Sequence, residues 1–546
     1  MAILYKIKIL QVTVSNNLYF TLISCFTVIF WLFPQKNIVL AQSGQNNITW
    51  NKEPNRPVFH FSPDSMWMND PNGMFYADGT YHLFYQYYPK DIIWGPMHWG
   101  HATSRNLISW QHQPIALYPD SLGYIFSGSA VVDTKNTSGL GKNGAPPILA
   151  FFTHHHADKE KTGSNQFQYQ SMAYSLDGGK TFTKYAKNPV IPNPGIRDFR
   201  DPKVFWHEPD QSWKMIFAAY DHVQIYTSKN LTEWSYCASF GKNFGCHEGV
   251  WECPDLFPLV AEKTGEIKWV MLVSINPGAP NGGSGTQYFV GEFDGCQFKP
   301  ENMASPAENN IKVQWLDFGT DNYAGVTWSG IPDQDGRKIF LGWMSNWQYA
   351  QQVPTKTWRS SMTLPRQLTL ENFEEEWIVK SNPVDEFNKL ELAPAQTFKD
   401  KIIGNELLLQ SGSSLNRYQV EFEYPLNNKV YIRLSNTLGQ YTDIGFDGKL
   451  NKFFIDRRFS GIIDFNENFP AIQYSEIRKK SGNIKIDLIQ DVSGIEMFAD
   501  DGKIVMSGLY FPDKPYHKAS VWSTSADLKL SGTIRLLKPA IFESVR

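Results

Sequence analysis

From residue 57 onward, apolar and polar positions alternate in short runs and seldom keep a helical period. The runs Tyr81–Tyr88, Ala130–Asp133, Ile148–Thr153, Lys203–Trp206, Lys214–Tyr220, Trp269–Ile275, Gln287–Phe293 and Lys338–Met344 read as strands. Turn signals fall between them, at Asp78-Gly79, Asp177-Gly178-Gly179, Asp294-Gly295 and Asp335-Gly336. Many short strands punctuated by Gly and Asp predict an all-β chain. One turn also echoes: Ser104-Arg-Asn-Leu-Ile-Ser-Trp110 returns as Ser228-Lys-Asn-Leu-Thr-Glu-Trp234, with Ser175-Leu-Asp-Gly-Gly-Lys-Thr-Phe182 a looser relative. The same outer turn on successive four-stranded units points to a β-propeller.

The pattern changes near residue 371. Glu371–Glu376 is acidic, and Asn382–Ala395 carries two prolines without clear alternation. Beyond it, Tyr418–Tyr424, Val430–Leu434, Lys452–Asp456, Ile484–Ile489 and Gly494–Phe498 read as strands again, without the signature turns. The expectation is therefore a propeller over residues 57–371, a linker over 372–400 and a C-terminal β-sandwich over 401–546. A chain of 546 residues is long enough for two cores.

Composition narrows the function. Aromatic residues make up 15% of the chain. Flat rings stack on the apolar faces of sugars, although filling a large β core accounts for most of them. The formal net charge is −3, and the first 41 residues hold Lys6, Lys8 and Lys36 with no acid, so the remainder sits near −6. That balance excludes a nucleic-acid surface. Lys6 and Lys8, the apolar run Leu18–Phe33 and the small-residue end Val39-Leu40-Ala41 outline a signal peptide over residues 1–41. An uncleaved anchor and lipidation at Cys25 are the alternatives. The protein is expected to be secreted, periplasmic or on the cell surface, with no integral membrane domain once the leader is removed.

Cysteines are few. Cys237, Cys246, Cys253 and Cys296 remain after the leader, leaving room for one bridge. Their spacing matches no zinc pattern, and His154-His155-His156 reads as a solvated loop. No metal or cofactor is expected, and the oligomeric state is not fixed.

Three acidic motifs carry the chemistry. In Trp67-Met-Asn69-Asp70-Pro71-Asn72-Gly73, Pro71 restricts Asp70 to an extended backbone and Asn72-Gly73 closes a turn. In Phe199-Arg200-Asp201-Pro202 a proline again follows the acid, and Arg200 stands beside it to hold a hydroxyl or keep Asp201 ionised. In Glu248-Gly-Val-Trp251-Glu252-Cys253-Pro254-Asp255, Glu252 lies between an indole and a thiol, a setting that raises a carboxyl toward a working general acid. Taken alone, each has a plain structural reading: an Asx-Pro turn, a surface ion pair, a strand end. Together they supply what glycoside cleavage needs, a carboxylate to attack and an acid to protonate the leaving oxygen. A propeller can gather them, because its inner strands line one axial pocket.

With these motifs the chain resembles family 32 of the glycoside hydrolases, the invertases, levanases and exo-inulinases, from about Pro57 to the end. The resemblance implies a five-bladed β-propeller followed by a β-sandwich. It places Asp70 as nucleophile, Glu252 as acid/base and Asp201 as transition-state stabiliser of a retaining β-fructosidase. It further implies Trp67, Asn69, Gln86, Trp94, Phe126, Ser127 and Arg200 in the fructose subsite, with Trp343 and Trp347 as an aromatic wall. Asp491-Val-Ser-Gly-Ile-Glu496-Met-Phe498 resembles the sandwich motif of the family. The implied substrate is terminal β-fructose on levan or inulin, or sucrose. The segments Trp94–His101 and Gly282–Gly291 look closest to levanases and exo-inulinases. A sucrose-preferring invertase and a fructosyltransferase share the three acids, and a non-catalytic fructan-binding propeller is the alternative outside enzymes.

Overall fold

The computed structural model describes residues 53–301, 313–425, 427–476 and 481–544. The signal-peptide segment lies outside them. Among the described residues no helix is long and apolar enough to cross a membrane.

The fold is a β-propeller followed by a β-sandwich. Five sheets are built on residues 66–383, antiparallel except for two parallel additions to the first, and each opens on an inner strand: Met66–Ala77, Tyr124–Val132, Phe199–His207, Val250–Val260 and Tyr323–Thr327. These inner strands neighbour one another in order, and the last packs back against the first. Every strand foreseen from the alternation is present.

The echoed turn is one structure used twice. Asn106 Oδ1 accepts from the amides of Ile108 and Ser109 at 3.1 and 2.8 Å, and Trp110 Nε1 donates to the Leu107 carbonyl at 3.0 Å. Asn230 Oδ1 does the same for Thr232 and Glu233 at 3.1 and 2.9 Å, with Trp234 Nε1 on Leu231 at 3.0 Å. Each turn joins the third and fourth strands of its sheet.

The expected linker is displaced. Arg366–Phe373 and Glu376–Pro383 form a hairpin that completes the fifth sheet, and Gln396–Ile402 already belongs to the sandwich. The hairpin turns on Glu374 and Glu375, with φ of 51° and 68°. Such a two-residue turn usually carries Asn-Gly, so its acidic sequence hides it.

The sandwich consists of two six-stranded sheets. Along Asn416–Glu423 burial alternates, so that Tyr418, Val420 and Phe422 meet Ile484, Ile486 and Leu488 of the same core. The two halves are joined by buried charge. Arg366 donates to Asp317 Oδ2 at 2.9 Å and to Glu496 Oε2 at 2.6 Å, and Arg457 donates to Asp321 Oδ2 at 2.7 Å. Asp491 accepts the amides of Val58, Phe59 and His60 at 3.0–3.2 Å. His60 bridges Asp491 and Glu496 at 2.8 and 3.0 Å. The Asp491–Phe498 motif is thus the fastening between the halves.

Two further ties cross the ring. Trp358–Arg359 pairs in parallel with Met66-Trp67, and Phe542–Ser544, after the sandwich, pairs in parallel with Trp110–His112 on the outer side of the first sheet. Cys237 and Cys296 form one disulfide, linking the third and fourth sheets.

Candidate active site

Each inner strand slips its register near its N-terminal end. The breaks fall between Met68 and Pro71, Ile125 and Gly128, Arg200 and Lys203, Glu252 and Asp255, and Tyr323 and Val326. A bulge re-aims a side chain without ending the strand. The motif around Asp70 is therefore a bulged strand rather than a turn. Proline is tolerated at Pro71, Pro202 and Pro254 because at these positions no described strand pairs with the inner edge. Gly73 has φ +50°, and a Cβ there would stand 2.5 Å from the Trp99 ring. Asp201 departs from the extended backbone expected before proline, with φ 67°, and Cys253 lies at 46°. Non-glycine residues in this region cost on the order of 1–3 kcal/mol each, a cost that recurs at functional sites.

The bulges bring Asp70, Asp201 and Glu252 to one pocket of about 320 Å³. Ser127 Oγ donates to Asp70 Oδ2 at 2.6 Å, and Asn69 Nδ2 donates to Oδ1 at 3.0 Å. Burial raises the Asp70 pKa above its ordinary value and the Glu252 charge adds to this, whereas Ser127 and Asn69 hold it down. Asp201 accepts the Cys253 amide at 3.0 Å. Burial pushes Asp201 up to about 7, against the opposing charge of Arg200.

Glu252 is held at both oxygens: Arg200 Nη2 donates to Oε1 and the Tyr323 hydroxyl to Oε2. The two donors fix where the carboxyl points. The neighbours foreseen for Glu252 point elsewhere. Trp251 is buried between the third and fourth sheets against His247, with ring centroids 5.0 Å apart. The left-handed backbone turns Cys253 toward the aspartates, 3.6 Å from Oδ2 of both Asp70 and Asp201. Burial raises the Cys253 pKa well above normal, so the thiol keeps its proton and acts as a donor.

Asn69, Gln86, Trp94, Phe126, Ser127, Arg200 and Trp347 line the pocket. Trp67 and Trp343 do not: both are fully buried behind Trp347, with ring centroids 5.8 and 5.0 Å from it. Strand alternation turns them inward, and Trp67 reaches the site only by donating to Asn69 Oδ1 at 2.7 Å. The guanidinium of Arg200 goes to Asp198 Oδ1 at 2.5 Å and to Glu252, and its Nε stands 3.8 Å from Asp201.

The expectation of a solvated histidine loop is overturned. His154 and His155 end the strand Ile148–His155, buried at 0% and 4% exposure, and His155 lines the pocket. Asp198, Glu160, Gln168, Asn276 and Gln351 line it too, and Tyr323 stands behind Glu252. Sequence reasoning missed all six. Only Asp198 carried a signal, two residues ahead of Arg200.

The sequence profile of the glycosyl hydrolases family 32 N-terminal domain matches residues 60–382, and that of the family 32 C-terminal domain matches 386–536. The chain belongs to glycosyl hydrolase family 32. Within it, the chain is 45% identical over 494 residues to a levanase of Bacillus subtilis (strain 168), covering 88% of this chain and 70% of that one. It is 37% identical over 502 residues to an extracellular exo-inulinase of Aspergillus awamori, covering 86% and 92%. The crystal structure of an exo-inulinase from Aspergillus awamori superposes with a TM-score of 0.82 at 34% identity, covering 89% of this chain and 99% of that one. A β-fructofuranosidase from Schwanniomyces occidentalis complexed with fructosyl-erythritol gives 0.79 at 33% identity, covering 89% and 98%.

Proposed function

We propose that this family 32 hydrolase is a retaining exo-β-fructosidase that releases terminal fructose from levan or inulin and from sucrose. The observation that carries the reading is the meeting of Asp70, Asp201 and Glu252, from three different sheets, in one small pocket. A volume of about 320 Å³ is at the low end for ligand sites and suits a chain end. The names of the relatives, levanase and exo-inulinase, support β-fructans as substrates. Extracellular exo-inulinases among them support export.

Asp70 attacks the anomeric C2 as its bond to the leaving oxygen breaks, and Glu252 gives that oxygen its proton. A fructosyl–Asp70 ester results. Glu252, now ionised and held by Arg200 and Tyr323, takes a proton from water as the water oxygen bonds to C2 and Asp70 departs. Asp201 accepts hydrogen bonds from ring hydroxyls, which strengthen as positive charge develops on the sugar. Gln86, Trp94, Phe126, Ser127 and Trp347 shape the subsite.

The test is Asp70→Asn and Glu252→Gln, assayed for fructose release from sucrose, inulin and levan. Turnover should fall by several orders of magnitude for Asp70→Asn and about 10²–10⁴-fold for Glu252→Gln, with unchanged circular dichroism. Near-normal turnover in either variant overturns the roles. Release of fructose alone from the polymers supports exo action, and oligosaccharides contradict it.

A further inference from the structure

Part of the pocket wall has no task in the chemistry above. The strand Ile148–His155 ends in His155, and the short helix Ala157–Lys161 brings Glu160 back beside it. The His155 ring lies flat on Phe126, with centroids 4.3 Å apart and planes 5° apart. The Gln168 amide donates to His155 Nδ1 at 3.3 Å, and His155 Nε2 lies 3.2 Å from Glu160 Oε2. A ring nitrogen that accepts carries no proton, so the neutral ring has its hydrogen on Nε2, on the side of Glu160. Burial and the charge of Arg200 keep the ring neutral, lowering its pKa to about 4.

Glu160 connects this corner to the acid/base. Its Oε1 faces Arg197 Nη2 at 3.4 Å. Arg197 adjoins Asp198, which receives Arg200, and Arg200 holds Glu252. The row ends at the group that protonates the departing oxygen, so it borders the space where the leaving sugar must lie. Gln168, 2% exposed, backs the His155 ring in the same wall. The Glu160 side chain is 37% exposed, leaving it lone pairs for a ligand.

We propose that Glu160 forms the leaving-group subsite, accepting hydroxyls of the departing sugar through a carboxylate held at the pocket wall by Arg197 beside the His155 ring. The proposal rests on the β-fructosidase reading. Acceptors held in place select leaving groups that bring hydroxyl donors and gain nothing from one that has none. The subsite thus acts on substrates with a sugar leaving group and has no contact to offer when the leaving group is a fluoride ion.

Glu160→Ala and Glu160→Gln in the full chain test this, with kcat/KM measured on sucrose, on an inulin-type trisaccharide and on β-fructosyl fluoride. For Glu160→Ala the ratio of sucrose to fluoride should fall about tenfold, the worth of a hydrogen bond to a charged group, and the trisaccharide should follow. Glu160→Gln, which keeps one acceptor oxygen, should lower the ratio less. A ratio at the wild-type value in both variants overturns the proposal, as does an equal fall on fluoride and sucrose. Wild-type protein that cleaves none of the three would overturn the parent reading, and this one with it.

Discussion

Glu496→Gln takes one negative charge from the centre of the joint between the halves. Glu496 is fully buried and accepts from Arg366 Nη2 at 2.6 Å, Arg366 Nε at 2.9 Å, the Leu364 amide at 2.6 Å and His60 Nε2 at 3.0 Å. The amide has the same volume, but one of its two polar atoms becomes a donor facing donors. Arg366 is left with Asp317 and the Ser507 hydroxyl, and His60 with Asp491. Breaking a buried charged network on one side costs about 3–5 kcal/mol. Against a total of about 5–15 kcal/mol, the urea midpoint at pH 6–7 should drop by roughly a third. The effect carries a pH signature. Burial opposes charging of His60, but its bonds to Asp491 and Glu496 outweigh this and raise its pKa from 6.5 to about 9. Stability from this group is complete below pH 6.5 and is lost as pH rises through about 9. The gap between wild type and variant should therefore be widest near pH 6 and narrow toward pH 9, read by tryptophan fluorescence in urea. Equal midpoints near pH 6, or a gap that grows with pH, would refute the reasoning.

Two further outcomes follow from the pocket. Tyr323→Phe removes the donor on Glu252 Oε2 and should lower kcat/KM on sucrose about 10–100-fold while the melting temperature changes little. Asp201→Asn should abolish most turnover yet stabilise the fold, since burial raises the Asp201 pKa from 3.8 to about 7. A raised pKa means stability present below pH 3.8 and lost on the way up through 7, so the variant's thermal advantage should grow between pH 4 and 7 and then level off. No advantage at pH 8 would contradict this.

Much of the fold was legible because its strands are short, apolar and fenced by Gly and Asp. The Asn106 and Asn230 turns were visible as text because one hydrogen-bond pattern needs the same residues at the same offsets. What stayed hidden depends on context. Asp-Pro-Asn-Gly reads as a corner, and only the free side of an innermost strand lets it remain a strand. Trp67 and Trp343 looked like wall residues because burial behind Trp347 and exposure to a ligand leave the same letter in a sequence. His155 and Glu160 gain a setting only when the strand after Tyr124–Val132 brings them to the pocket. Tyr323 meets Glu252 across 71 residues, a distance no local pattern encodes.

The pairing of Phe542–Ser544 with Trp110–His112 bears on the order of synthesis. The first sheet to leave the ribosome waits for its outermost strand until residues 542–544 have followed the whole sandwich. Until then its edge offers unpaired amides and carbonyls, the kind of surface on which chains join one another. A stop codon at position 542 would leave Asp70, Asp201 and Glu252 in place. It would still release a protein with one open edge, prone to aggregate during biogenesis.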